Sequence, residues 1–236
     1  LNKRRAAFIA LLALISGEAA AVQSRDPANP TCPPNPDWST YAEMRFTVRE
    51  RSGAPPALLA EGAIDEAMLP RLQQALDGFR GREIWLRSPG GDAHAGNQAA
   101  MLIRNHGLST RVPSGWACLG ACAFMFMGGL DRAMDPDGLL IVQMFTFTSD
   151  PSVRRRLATG GESRERLFDE IAVASAAQAS EDNDLLIRMG VSRRLLTEIV
   201  YRQPGVAGPG HPATRRCLTL EEARNYRLVT DGGPAR

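Results

Sequence analysis

The chain has 236 residues, 44% of them hydrophobic, and carries 28 Lys and Arg against 26 Asp and Glu, a formal charge of +2. That length is enough for one large domain or two small ones. A charge this close to balance argues against strong electrostatic attraction to nucleic acid.

In chain order, Lys3-Arg4-Arg5 is followed by an apolar run from Ala6 to Ile15 and by Ala19-Ala20-Ala21. A basic start, a short apolar stretch and a small-residue site form a secretory signal, too short to span a bilayer comfortably. Residues 1–21 are therefore read as a signal peptide cleaved after Ala21, leaving no stable membrane span. The opening Leu1 points to a non-standard start or a truncated beginning. Loss of Lys3, Arg4, Arg5 and Glu18 brings the +2 to about zero, which strengthens the case against nucleic acid. Residues 22–40, rich in Pro, Asn and Asp, read as an irregular leader, and residues 41–236 as the folded domain.

Met44, Phe46 and Val48 alternate with polar residues, as in a strand with one buried face. Leu58 to Ile64 is a second strand-like run. Asp65 to Phe79 has helical periodicity through Met68, Leu72, Leu76 and Phe79, with Asp65 as its expected N-cap and Pro70 early enough to be tolerated. Glu83 to Arg87 is a strand that enters Ser88-Pro89-Gly90-Gly91-Asp92. Glycines there allow positive φ and close backbone approach, and amide N–H groups beside a helix start favour negative charge. Asp92 suits the N-cap of a helix starting near Ala93 rather than an acid/base role. That helix runs to His106, where Gly107 signals its C-terminal end. Ser109 to Pro113 is a short strand. The segment from Gly115 to Cys122 opens an apolar helix, Ala123 to Met127, closed by Gly128-Gly129. Strands near Arg132–Met134 and Leu139–Val142 follow. Such strand–helix alternation predicts an α/β fold with a largely parallel sheet flanked by helices.

Phe145 to Gly161 reads as a loop. Ser163 to Met189 reads as one long helix, dense in alanine from Ala172 to Ala179. Ser192 to Tyr201 is a further helix capped by Ser192, and Pro204 to Pro212 a Gly/Pro loop. Thr219-Leu220-Glu221-Glu222 has the capping-box form and starts a last short helix. The four cysteines of an exported chain suit disulfides. Cys118 with Cys122 is the favoured local pair, with Cys32 joined to Cys217. The alternative leaves Cys118 and Cys122 reduced, as small buried apolar residues. The histidines are too few and scattered to read as a zinc site with the cysteines. No nucleotide-binding loop is present, and no cofactor or metal is expected.

The ordered set Ser88-Pro89-Gly90-Gly91-Asp92, helix, Gly107-Leu108-x-Thr110-x-Val112, Cys118-x-x-Ala121-Cys122, apolar helix, Gly128-Gly129-x-x-Arg132 resembles Clp-type peptidases. More narrowly, it is similar to the secreted ClpP-like proteins of the ClpP/crotonase superfamily. The resemblance spans about Met44 to Thr230 and implies a spiral of ββα units. It places the family's nucleophilic serine at Gly120 and its general-base histidine at Gln143. The acid falls at about Arg215, ahead of Leu218-Thr219-Leu220-Glu221-Glu222-Ala223. It assigns the oxyanion-binding backbone to the Gly90-Gly91 turn, with N–H donors at Gly91 and Ala121. The long helix after the histidine strand serves subunit contact in such proteins, which implies a homo-oligomer.

Glycine has no atom to attack a carbonyl, and a carboxamide cannot shuttle a proton near neutral pH. The expectation is thus a periplasmic or secreted, catalytically silent ClpP-like protein that binds extended peptide or a partner chain. The alternative is an active hydrolase with a displaced nucleophile, Cys118 or Cys122. His94, three residues after Gly91, is either a niche-facing imidazole or a solvated one; His106 and His211 read as turn residues. A crotonase-type enolate chemistry with Asp92 as base is a third reading, disfavoured by export away from coenzyme A esters.

Overall fold

The computed structural model describes residues 32–143, 151–159, 164–202 and 215–230. The expected signal peptide, most of the expected leader, the Pro204–Pro212 stretch and His211 lie outside them. Strands β1 (Arg45–Arg51) and β2 (Ala54–Glu61) form an antiparallel pair, interrupted by a register shift between Arg49 and Arg51. Pro55 and Pro56 fall in that irregular stretch, where the missing N–H groups do least harm to the ladder. Strand β2 therefore starts and ends earlier than the apolar run Leu58 to Ile64 suggests. Gly62 ends it, and Ile64 is left to make an isolated bridge to Gly91. Met44 is buried, but Val48 is 51% exposed, because β1 is the edge of its sheet.

Helix α1 (Met68–Asp77) buries Met68, Leu72 and Leu76, with Pro70 in its first turn. It begins three residues after the expected Asp65 cap. The Asp65 carbonyl accepts from the Met68 N–H, but Ala67 is the N-cap and no side chain caps it. The chain continues through β3 (Glu83–Arg87), α2 (Ala93–Asn105) and β4 (Ser109–Val112). It then makes a short strand β5 (Ala117–Leu119), α3 (Ala121–Met127), β6 (Arg132–Met134) and β7 (Leu139–Gln143). The first sheet has the order β1-β2-β3-β4-β6 and is parallel from β2 onward. A smaller sheet has the order β5-β7-β8, with β8 (Arg215–Cys217) antiparallel to β7.

Ser88 joins the two sheets. Its N–H donates to Ala117 O at 3.0 Å, and its carbonyl accepts from Leu119 N at 3.0 Å. Helix α3 is buried at every residue, as its all-apolar sequence requires, and packs against α2 in the main core. A second core under the small sheet contains Cys32, Ala117, Leu119, Ile141 and Cys217, with Trp38 against it. Within the described residues the leader is thus part of the fold: Cys32 is buried, and Asp37 O accepts from Ala117 N at 2.9 Å.

Two elements depart from expectation downstream. Part of the expected loop is helix α4 (Pro151–Thr159). Its three arginines conceal an apolar face but are good helix formers, and Pro151 occupies the first position, where proline is tolerated. Ser192 does not cap the following helix. Helix α6 (Arg194–Glu198) has Arg193 as N-cap without a side-chain bond, and a 3₁₀ turn (Val200–Arg202) continues it. Helix α5 (Arg164–Arg188) is a single rod whose last turns pack on α2 while Phe168 and Val173 are exposed. Helix α7 (Leu220–Asn225) carries the complete Thr219–Glu222 capping box.

The Gly91–Gly120–Gln143 niche, a candidate functional site

The turn after β3 is fixed from both sides. Gly90 N donates to Ser88 Oγ at 3.0 Å, and Gly90 O accepts from Ile64 N at 2.9 Å. Ile64 O in turn accepts from Asp92 N at 2.9 Å, so the Gly91 N–H takes no part in that bridge. Gly91 has φ 148°, and a Cβ there would lie 2.0 Å from Ile64 O. Only glycine fits so close an approach. Gly91→Ala is therefore expected to cost about 3 kcal/mol or more, visible as a lowered urea midpoint; a loss below about 1 kcal/mol would show that the turn is not held here.

Asp92 is the N-cap of α2, its Oδ1 accepting from Ala95 N at 2.7 Å. The carboxylate is spent on capping. On the facing wall, β5 ends at Leu119 and α3 starts at Ala121, with Gly120 between them at φ 57° and ψ −115°. This is the strained strand-to-helix turn that displays nucleophiles in many hydrolases. A Cβ on Gly120 would meet the Gln143 side chain at ordinary contact distance, 3.5 Å from Nε2. A Cβ on Gly90 would lie 2.4 Å from Leu119 O and 3.5 Å from Ala121 N, so the two glycine turns face each other across the Ala121 amide. Ala121, as the first residue of α3, has no intrahelical acceptor for its N–H.

Gln143 ends β7 and pairs in register with Arg215 of β8. The three positions singled out by the resemblance, Gly120, Gln143 and Arg215, are thus neighbours in space. Arg215 is buried, and its guanidinium stacks 5.3 Å from the Trp38 ring centroid. Cys118 and Cys122 bracket Gly120, are fully buried and are joined to each other, with Cα atoms 5.2 Å apart. Cys32 and Cys217 form the second disulfide.

His94 is not at the niche. It points from α2 toward α5, with Nδ1 2.8 Å from Glu181 Oε2 and Nε2 2.6 Å from Gln98 Nε2. The hydrogen bond to Glu181 is the main cause that holds its pKa above the ordinary histidine value. His106 is a turn residue, as read: Nδ1 contacts Leu102 O at 2.9 Å and Nε2 contacts Asp77 Oδ1 at 3.1 Å. Among the described residues no group of three or more His, Cys, Asp and Glu side chains could hold a metal ion.

Sequence reasoning did not find two buried polar centres. Arg132, quoted only as part of a motif, donates to five backbone carbonyls, and Asp182 sits between Asn97 and Gln178. Asp182 lies in the polar stretch Ser180-Glu181-Asp182-Asn183-Asp184, so the available signal was only its helical spacing from Gln178, Leu185 and Leu186, which puts it on their buried face.

The niche offers hydrogen-bond donors: the Gly91 and Ala121 N–H groups and the Gln143 amide. Among the described residues it offers no nucleophile and no proton shuttle. Backbone N–H groups at such a turn suit a carbonyl or carboxylate oxygen.

No family model matches the chain, and no curated protein matches it. Among solved structures it is similar to a ClpP1 variant from Listeria monocytogenes. That similarity has 14% identity and a TM-score of 0.51, and covers 73% of this chain and 88% of that one. At this identity the similarity establishes a ClpP-like fold and nothing finer.

Proposed function

We propose that this chain is an exported, catalytically silent ClpP-like protein, built as a spiral of ββα units, that binds an extended peptide or partner segment in the niche. The observation that carries the reading is that a side chain at Gly120 would start 3.5 Å from Gln143 Nε2, so the two positions face each other. The places for an attacking hydroxyl and an imidazole face each other, and neither group is there. The donors at Gly91 and Ala121 would hold a main-chain carbonyl of a peptide laid by strand addition in a groove beside the Gly91 turn. Two disulfides suit an oxidising compartment, and among the described residues no helix is long and apolar enough to cross a membrane. The exposed flank of α5, including Phe168 and Val173, is the surface through which copies would assemble.

A hydrolase with a displaced cysteine nucleophile is disfavoured. Cys118 and Cys122 are spent on each other and fully buried, and a disulfide sulfur is no thiolate.

The test is the double variant Gly120→Ser/Gln143→His against Gly120→Ala/Gln143→His. Both carry a side chain in the strained turn, a cost of about 1–3 kcal/mol, so only the hydroxyl differs. With an intact oxyanion niche, the serine variant is expected to hydrolyse an activated peptide ester on the order of a hundredfold faster than the alanine one. The gain stays well below a full triad, because Arg215 cannot orient the new imidazole. Equal silence of two folded variants overturns the assignment of the niche. Saturable turnover by the purified wild-type chain overturns its silence.

A further inference from the structure

The helix α2 that starts on the glycine turn is joined to α5 by a buried polar cluster. Asp182 of α5 is 4% exposed. Asn97 Nδ2 of α2 donates to its Oδ1 at 2.9 Å, and Gln178 Nε2, one turn earlier on α5, donates to the same oxygen at 2.7 Å. Both donors converge on Oδ1. Among the described residues nothing donates to Oδ2, and no Lys or Arg forms an ion pair with the carboxyl. On the other side of the contact, Asn97 Oδ1 is buried without a partner, although the nitrogen of the same amide is bonded. Exchanging the amide's oxygen and nitrogen would set two acceptors together and orphan an N–H₂ group instead.

One change would satisfy Asn97 Oδ1. A proton on Asp182 Oδ2 turns it into a donor, and the acceptor lacking a partner is Asn97 Oδ1. Acid and amide then close a ring of two hydrogen bonds. We propose that Asp182 is a protonated, hydrogen-bond-donating carboxyl in the folded chain, that it latches α5 to α2 through Asn97, and that losing this proton to solvent as pH rises loosens the helix.

The surroundings favour the neutral form. Burial is the main cause that raises the pKa of Asp182; the bonds from Asn97 and Gln178 oppose it, and the nearby Glu181 charge adds to it. The groups facing Asp182 are Asn97 from α2, Gln178 and Glu181 from α5, and Tyr201 from the 3₁₀ turn. The Tyr201 phenol is pushed up to about 12, chiefly by burial, and so stays neutral alongside it. A carboxyl with a folded pKa above its unfolded value of about 3.9 contributes stability that is complete below that value. The contribution is lost as pH rises through the folded pKa, by up to about tenfold in the docked-to-undocked ratio per pH unit.

Asp182→Asn is the discriminating variant in the full chain, since a carboxamide donates and accepts in the same ring at every pH. It is expected to match or exceed the wild type in thermal stability at neutral pH. Hydrogen exchange over residues 164–188, corrected for intrinsic rates, should then become flat with pH; in the wild type it should rise on the alkaline side. The ¹³C carboxyl resonance of Asp182 should report the protonated form in the folded wild type at pH 5. A resonance showing an ionised carboxylate there, or an Asp182→Asn variant as destabilised as Asp182→Ala, overturns the proposal.

Discussion

Replacing Arg132 by methionine is expected to lower the unfolding free energy by about 3–5 kcal/mol. The side chain is almost fully buried and donates to carbonyls from three separate parts of the chain. Nε reaches Leu228 O at 2.6 Å and Nη2 reaches Arg227 O at 2.8 Å, both beyond α7. Nη1 lies within 3.4 Å of Met127 O, 3.2 Å of Gly129 O and 3.3 Å of Met189 O, at the ends of α3 and α5. The backbone completes the knot: Arg132 N donates to Thr230 Oγ1 and Thr230 N donates to Arg132 O. Burial, helped by the Arg104 charge, pushes the guanidinium down to about 10, so it is still fully charged at neutral pH.

Methionine fills the space of the stem and leaves the carbonyls without donors, so the loss reports the bonds rather than a cavity. Lysine recovers little, because one ammonium cannot reach acceptors on both sides of a planar fork. Arg104→Met is the matched control. Arg104 touches Met127 O and Met189 Sδ from the rim, and its loss should cost roughly 1 kcal/mol. Urea unfolding of the three proteins decides the matter. Equal midpoints for Arg132→Met and Arg104→Met would remove Arg132 from its central place.

The second large effect belongs to the Cys32–Cys217 bond. It closes a sequence separation of 185 and fastens the leader to β8 beneath the small sheet. In the chain-entropy picture a loop of this length is worth about 5 kcal/mol, and measured native bridges give about 2–5. The double variant Cys32→Ser/Cys217→Ser should therefore melt roughly 5–15 °C lower than the oxidised wild type. Changing both residues avoids an unpaired thiol that could exchange with its neighbours. The Cys118–Cys122 bond closes only four residues of separation, and the same reasoning gives it the smaller share, roughly 2 kcal/mol. Peptide mapping without reduction must find Cys32 on the same fragment as Cys217. Finding it attached to Cys118 or Cys122 would refute the pairing and the calorimetric expectation together.

The first of these centres also shows where sequence reading stops, whereas the Cys32–Cys217 pair was the one expected. The Asp92 and Thr219 caps were legible because a cap is a bond between residues three apart. Helices α1, α2, α5 and α7 were legible because apolar periodicity and local stop signals act within one element. Strands β5 and β8, three residues each, were not. Each exists because β7 lies between them with hydrogen bonds on both sides. Helix α4 was missed because its arginines masked the helical pattern.

The niche divides in the same way. Its glycine turns announce themselves in the chain, since only residues without a Cβ survive contacts as close as Gly91 against Ile64 O. That Gly120 faces Gln143, and Gln143 faces Arg215, came as an inference from resemblance; it became a geometric fact only when β7 was laid between β5 and β8. The amino-acid sequence by itself determined where helices α2 and α7 begin and that glycines stand at the tight turns, because composition and bonds between near neighbours are local properties. Tertiary structure alone decided that Arg132 gathers distant carbonyls, that His94 turns from the niche toward Glu181, and that Asp182 meets an unpaired acceptor on another helix. Each depends on segments tens of residues apart, and chain distance carries no information about which buried polar groups must satisfy one another.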